Sequence, residues 1–233
     1  MIDSCSWSIE NKEVKKKILY ISLIFISLYL VNIISSVSNF KLDLGIYRQK
    51  YEFSCEAAAL TALLNYEKIQ VQEDQVIKNM PMDPTPRTSS VWGDPAEGFV
   101  GDIYGKDAKV SYGIHWQGLQ KVASQWGIVD AGHAPNSSIL ITLLLKKKPV
   151  IVWVVSENSS GRELSWKTPT GKIVSAIEGE HTVIVYGFRG NPKNPTGFYI
   201  MDPNAGFVFK QSYEFEQNWK RLGNSYLAFT QTK

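Results

Sequence analysis

Gln49-Lys-Tyr-Glu-Phe-Ser-Cys55-Glu-Ala-Ala-Ala-Leu60 is the stretch on which the reading of this chain turns. It sets a cysteine at the opening of a predicted helix. From Cys55 to Tyr66 the residues are helix formers (Glu56, Ala57, Ala58, Ala59, Leu60, Ala62, Leu63, Leu64), and Ser54 stands where an N-cap belongs. Leu60, Leu63 and Leu64 fall on one face with Ala57 close by, so this helix is expected to bury that face. A thiol at a helix N-terminus lies in the positive end of the macrodipole, which favours the thiolate and lowers its pKa. A free cysteine also serves as a small inert hydrophobe. The residues around it must decide between nucleophile and filler.

Gln49 precedes the cysteine by six residues. Across a turn, a glutamine amide at that distance can aim an N–H at the oxyanion formed when a thiolate attacks a carbonyl, with the backbone N–H of Cys55 as second donor. A loop glutamine is equally an ordinary solvated residue. Three histidines are available as the partner base. His115 opens a predicted helix and suits a cap region or a cleft. His133 lies in Asp-Ala-Gly-His-Ala-Pro, which reads as an exposed turn. His181 opens the strand His-Thr-Val-Ile-Val-Tyr-Gly, where a strand end can point a ring into a cleft. The strand Phe198-Tyr-Ile-Met-Asp202 ends in a carboxylate before Pro203. If the two strands pair as an antiparallel hairpin, Asp202 falls near His181 and can orient its imidazole. Alone, Asp202 would read as a turn-starting residue and His181 as a sheet histidine. Neither HExxH, a cysteine pair nor a glycine-rich phosphate loop after a strand is present, so the chemistry calls for no metal and no cofactor.

The chain has 233 residues, 44% hydrophobic and 20% charged, with a net charge of +3. That suits one globular domain with an appendage. Charges of both signs are scattered, and no basic stripe points to nucleic acid. The appendage is a basic N-terminus over residues 1–17, expected to be cytoplasmic, followed by an apolar run over residues 18–38. Lys12, Lys15, Lys16 and Lys17 precede that run, whose length suits one membrane-spanning helix. The positive residues should stay inside, placing the remainder outside the cell. Ser36-Val-Ser38 leaves a cleaved signal peptide as the rival, with a secreted product. Either route separates Cys5 from Cys55, so an exterior domain over residues 39–233 must be held by its core and not by a disulfide.

Within that domain, residues 39–50 read as an extended lead-in and Gln72 to Met80 as a second helix before Pro81. Residues 81–114, rich in Pro, Gly, Asp and Ser, read as a long loop whose aromatics Trp92, Phe99, Tyr104 and Tyr112 pack, with Trp92–Tyr112 and Trp153 as candidate cleft walls. Trp116 to Trp126 and Ser137 to Leu145 read as helices. Val150 to Val155 is a continuous apolar run, as in a central strand. Lys172–Ser175, His181–Phe188, Phe198–Asp202, Phe207–Lys210 and Tyr226–Thr230 follow as strands, with a short helix at Glu214–Arg221. Helices precede strands without βαβ alternation. The expectation is an α+β domain, a helical N-terminal half packed in two layers on an antiparallel β half, with a cleft where they meet.

Gln49…Ser54-Cys55-Glu56-Ala57-Ala58-Ala59-Leu60 resembles the active-site opening of papain-like cysteine peptidases, in the branch related to bacteriocin-leader (double-glycine) processing peptidases. Glu180-His181-Thr-Val-Ile-Val-Tyr-Gly resembles that branch's histidine strand, and Tyr199-Ile-Met-Asp202-Pro203 its Asp-Pro element. Trp92-Gly-Asp-Pro-Ala-Glu-Gly-Phe-Val-Gly101, Tyr112-Gly113 and Lys148-Pro149-Val150-Ile151 recur in stand-alone, membrane-anchored or secreted Gram-positive members. The resemblance spans roughly residues 45–230. It implies a papain-like fold, with Cys55 as nucleophile, His181 as base and acid, Asp202 as orienting group and Gln49 as oxyanion donor. Two features depart from it. The leader-processing enzymes usually carry Asp-Cys-Gly where this chain has Ser54-Cys55-Glu56, and no nucleotide-binding motif of an attached transporter is present. A free-standing exterior peptidase acting on peptide or protein is the expectation. A cell-wall peptide amidase, an acyl transferase, and an inactive peptide-binding module are the alternatives.

Overall fold

The computed structural model describes residues 14, 16–25 and 39–232. In chain order the strands are β1 (Asn39–Lys41), β2 (Met82–Asp83), β3 (Phe99–Val100), β4 (Gly127–His133), β5 (Val150–Val155), β6 (Glu163–Lys167), β7 (Ile173–Ile177), β8 (Glu180–Asn191), β9 (Asn194–Asp202), β10 (Gly206–Gln211) and β11 (Ser225–Thr232). The helices are α1 (Cys55–Tyr66), α2 (Glu73–Asn79), α3 (Trp116–Ala123), α4 (Ser138–Leu145) and α5 (Ser212–Lys220). Residues 16–25 are helical and form part of a separate unit ahead of the domain body. Among the described residues, no helix is long and apolar enough to cross a membrane. Most of the basic N-terminus and residues 26–38 of the expected apolar segment, with its Ser36-Val-Ser38 site, lie outside the described residues.

The apolar run of β5 is buried along its whole length, as a strand covered on both faces must be. It pairs antiparallel with β8 on one side and β11 on the other, within a sheet of order β10-β9-β8-β5-β11-β4. β1 also pairs with β8. Side chains alternate across a strand. Ile151, Trp153, Ile184, Tyr186 and Leu227 therefore meet α1 and α3 on one face. Val150, Val152, Val154, Val183 and Val185 meet α4 and α5 on the other. This corrects the two-layer expectation: helices cover both faces, because alternate residues of the central strands are apolar on both.

Most predicted elements stand within a few residues of their expected positions. α2 starts with a capping box in which the Gln72 N–H donates to Gln75 Oε1 at 2.7 Å. α3 stops at Ala123, short of Trp126. Four strands were not foreseen: β4, β6, and the two-residue β2 and β3 that pair with each other inside the expected loop. β4 occupies the supposed turn at His133, because pairing with β11 holds Gly127–His133 extended. β6 pairs with β7 as a hairpin on which Trp166 donates to Gly93 O at 2.7 Å. The loop of residues 81–114 packs as expected, and its aromatic Trp92 joins Trp166 and Val174 in a small core of its own.

Candidate active site

α1 is buried from Cys55 through Leu64, on every face and not only the leucine stripe. Its entry is set by Ser54, whose Oγ accepts from the Tyr51 N–H at 3.1 Å and donates to Tyr51 O at 2.9 Å. Ser54 occupies the N-cap position without capping the helix. The amide face of the first turn is met instead by Glu56, whose carboxylate bonds its own backbone N–H.

β9 pairs with β8 only from Ile184 onward, opposite Met201. The first residues of β8, Glu180 to Thr182, therefore run past the end of β9, and Asp202, the last residue of β9, comes level with the start of β8. His181 Nε2 lies 3.0 Å from Asp202 Oδ1, as the predicted hairpin requires. That oxygen also accepts the backbone N–H of Asn204 at 2.7 Å and of Ala205 at 3.2 Å. Burial works to raise the Asp202 pKa, but the His181 hydrogen bond and charge and the two backbone donors outweigh it and hold the carboxyl below its usual range. Among the described residues no other hydrogen bond reaches the His181 ring, so its Nδ1 is not engaged by them. His181 and Asp202 line a cavity of about 210 Å³ floored by Val154, Val183, Ile200 and Phe215.

Gln49 sits beside this pair: its backbone N–H donates to Pro203 O at 3.1 Å, and Arg48 donates to the carbonyls of Asn204 and Ala205. Its side chain is not free, however. Nε2 donates to Tyr51 O and Glu52 O, both at 2.8 Å, while Oε1 is buried without a partner. The amide thus spends both hydrogens on the loop that leads into Cys55.

Cys55 is buried, and its Sγ donates to Glu56 Oε2 at 3.2 Å. Its thiol is not hydrogen-bonded to His181. Burial pushes the thiol well up, the charges of Glu56 and Glu180 push it further, and only the Thr182 backbone, next to His181, works in the opposite direction. The expectation of a thiol lowered by the helix dipole is corrected here. A carboxylate stands at the same helix end and competes for it, and both groups are buried.

Glu56 and Glu180 were not anticipated. Glu56 is fully buried, and its Oε1 accepts the Ile114 N–H at 2.7 Å. Glu180 Oε1 accepts from Thr182 Oγ1 at 3.3 Å, and its Oε2 is sealed from solvent with no partner. Both carboxylates converge on Gly113, where an added Cβ would lie 2.5 Å from Glu56 Oε1 and 2.5 Å from Glu180 Oε2; Gly113 also holds φ at +136°. The only hint in the sequence is a charged residue opening an otherwise apolar helix.

The other histidines sit elsewhere. His115 precedes α3 with its ring 3.3 Å from Tyr112 Oη, and burial pushes its pKa down to about 4. His133 ends β4, exposed, and accepts from Trp116 Nε1 at 3.3 Å. Both line a second cavity, of about 710 Å³, with Trp116 and Trp153. Trp153 is thus a cleft wall as well as core, whereas Trp92 is core alone. Cys55 lines neither cavity.

Residues 41–227 match the model of the Peptidase_C39 like family. The chain belongs to this family. An uncharacterized Bacillus subtilis protein, YvpB, is 26% identical over 192 residues, covering 78% of this chain and 73% of its own. A Bacillus anthracis crystal structure described as a C39-like peptidase is 22% identical, spans 84% of this chain and 100% of its own, and superposes with a TM-score of 0.72. The peptidase domain of Streptococcus ComA is 14% identical, covers 82% of this chain with 99% of its own length, and reaches a TM-score of 0.47. The family assignment and the Bacillus anthracis likeness establish the α+β, papain-like fold with its antiparallel sheet.

Proposed function

We propose that this C39-family chain is a cysteine peptidase acting on peptide or protein outside the cell, anchored by the segment of residues 18–38 with residues 1–17 inside and the domain of residues 39–233 outside. The observation that carries the reading is the His181–Asp202 pair at the open end of β8, one residue from the Thr182 backbone that lies against Cys55. In the reaction, the Cys55 proton passes to His181 Nδ1 and sulfur bonds to the substrate carbonyl carbon. Gln49 and the Cys55 backbone N–H serve the oxyanion, for which the Gln49 amide must leave the loop carbonyls. The tetrahedral adduct collapses as His181 gives its proton to the leaving amine, breaking the C–N bond and leaving a thioester. Water then gives a proton to His181, attacks the thioester, and releases the acid and the thiol. Asp202 keeps the ring oriented and stabilises its protonated form.

The test is incubation of the exterior domain with unstructured protein and, separately, with purified cell wall, followed by mass spectrometry for cleaved peptide and for acyl adducts on Cys55. Cleavage of protein that is lost in Cys55→Ala is expected. Release of wall fragments without protein cleavage would replace peptidase by wall amidase, and amine adducts of the acyl group would indicate transfer. A second reading is an inactive binding module. It is favoured by the buried thiol bonded to Glu56 and by the committed Gln49 amide. It requires that Cys55 form no adduct with any of these substrates.

A further inference from the structure

The peptidase chemistry makes no use of Glu56, which is buried, or of Glu180, which is half-buried with its Oε2 sealed from solvent. Two oxygens that each lie 2.5 Å from one point at Gly113 are within about 5 Å of each other, close enough that like charges oppose one another strongly. Among the described residues neither acid forms an ion pair with a lysine or arginine. The groups that face them are Cys55 from α1, His181 and Thr182 from β8, Tyr112 and the Ile114 amide from the loop, and Trp153 of β5 through its bond to Ile114 O at 3.0 Å. A site with Glu56 buried and Glu180 Oε2 sealed strongly disfavours two anions with no more compensation than that.

The contacts show where a proton belongs. Glu56 receives only donors, the Cys55 S–H and the Ile114 N–H, as an anion does. Glu180 Oε2 has no donor, which a sealed carboxylate oxygen needs, and Glu56 Oε1 across Gly113 is the acceptor toward which an O–H there would point. We propose that Glu56 and Glu180 form a carboxyl pair holding one proton between them, and that Glu56 is a positioning residue that parks Cys55 as a resting thiol, from which the sulfur must turn to engage His181. The inference rests on reading Cys55 as the nucleophile. Burial favours the protonated form of each acid, and the charge of Glu56 adds to this at Glu180.

The experiment uses the full chain and reads Cys55 alone, by mass-resolved alkylation with iodoacetamide across neutral pH. Glu56→Gln removes the charge and keeps an acceptor; it should speed alkylation at neutral pH by about tenfold or more, the equivalent of one pKa unit. Glu180→Gln mimics the neutral acid and should change the rate little. Infrared spectroscopy of the wild-type chain at neutral pH should show the carbonyl band of a protonated carboxylic acid, and Glu180→Gln should lack it. A wild-type chain without that band, which needs no variant to fold, overturns the proposal. So does a folded Glu56→Gln alkylated at the wild-type rate. Neither readout requires cleavage, so an inactive enzyme that keeps the band would sink the peptidase reading and leave the carboxyl pair standing.

Discussion

The two halves of the site are in different states of readiness. On β8 and β9, His181 is bonded to a carboxylate that is itself held by two backbone amides, and the ring opens onto a cavity. At the head of α1, Cys55 is buried, bonded to Glu56 and held protonated by its surroundings. Of the two groups proposed to react, the imidazole is preorganised and the thiol is not. A helix N-terminus therefore does not activate a thiol by itself: what else stands in the positive field, and how dry the site is, decides the sign of the shift.

The largest test of this contrast removes one group from each half. Cys55→Ala and His181→Ala should each lower kcat by roughly a thousandfold or more, and the double variant should be no worse than either, since residues acting as a unit are not additive. Independent, multiplying losses would break the pairing. Next, Asp202→Asn should lower kcat by about a hundredfold with the fold intact, because it leaves the ring in the wrong tautomer. Its carboxyl sits below the usual range when folded, so its stabilising contribution is present above the ordinary carboxylate pKa and lost as pH falls through the folded one. Urea melts of wild type and Asp202→Asn should converge in acid.

Gln49→Ala should cost on the order of tenfold to a hundredfold in kcat with KM little changed, if the amide swings to the oxyanion. A loss confined to thermal stability would mean that it only braces the Tyr51–Glu52 loop. The smallest effect concerns the carboxyl pair. Glu180 is raised well above its ordinary value, so its contribution to stability is full below that value and is lost as pH rises through the folded one. Chemical denaturation at several pH values should show wild-type stability falling in that window, by about 1 kcal/mol or more per pH unit for one proton, and Glu180→Gln should flatten the slope.

Much of the His181–Asp202 half of the candidate site was legible in the sequence because its signals are local. A strand opening on histidine and one ending in Asp-Pro meet whenever the two form a hairpin, and β8 and β9 do. The apolar run Val150–Val155 had no option but the middle of the sheet. Other features depended on partners that sequence spacing does not reveal. His133 looked like part of a turn because Asp130, Gly132 and Pro135 surround it, yet β11 lends Gly127–His133 a ladder that outweighs local preference. Glu56 was read only as a helix former. Only the fold, by bringing Gly113 and Glu180 against it, shows that it is buried. Ser54 was assigned a capping role from its position, but its hydroxyl turns back to Tyr51.

Gly113 carries a consequence for how this protein can change. The space a methyl group would fill there is already occupied by the oxygens of two acids from distant parts of the chain. Positions 56, 113 and 180 consequently behave as one unit under mutation. A Cβ at 113 would displace one or both carboxylates, and its φ of +136° strains any L side chain there. Engineering of the pocket should treat the three as a single move.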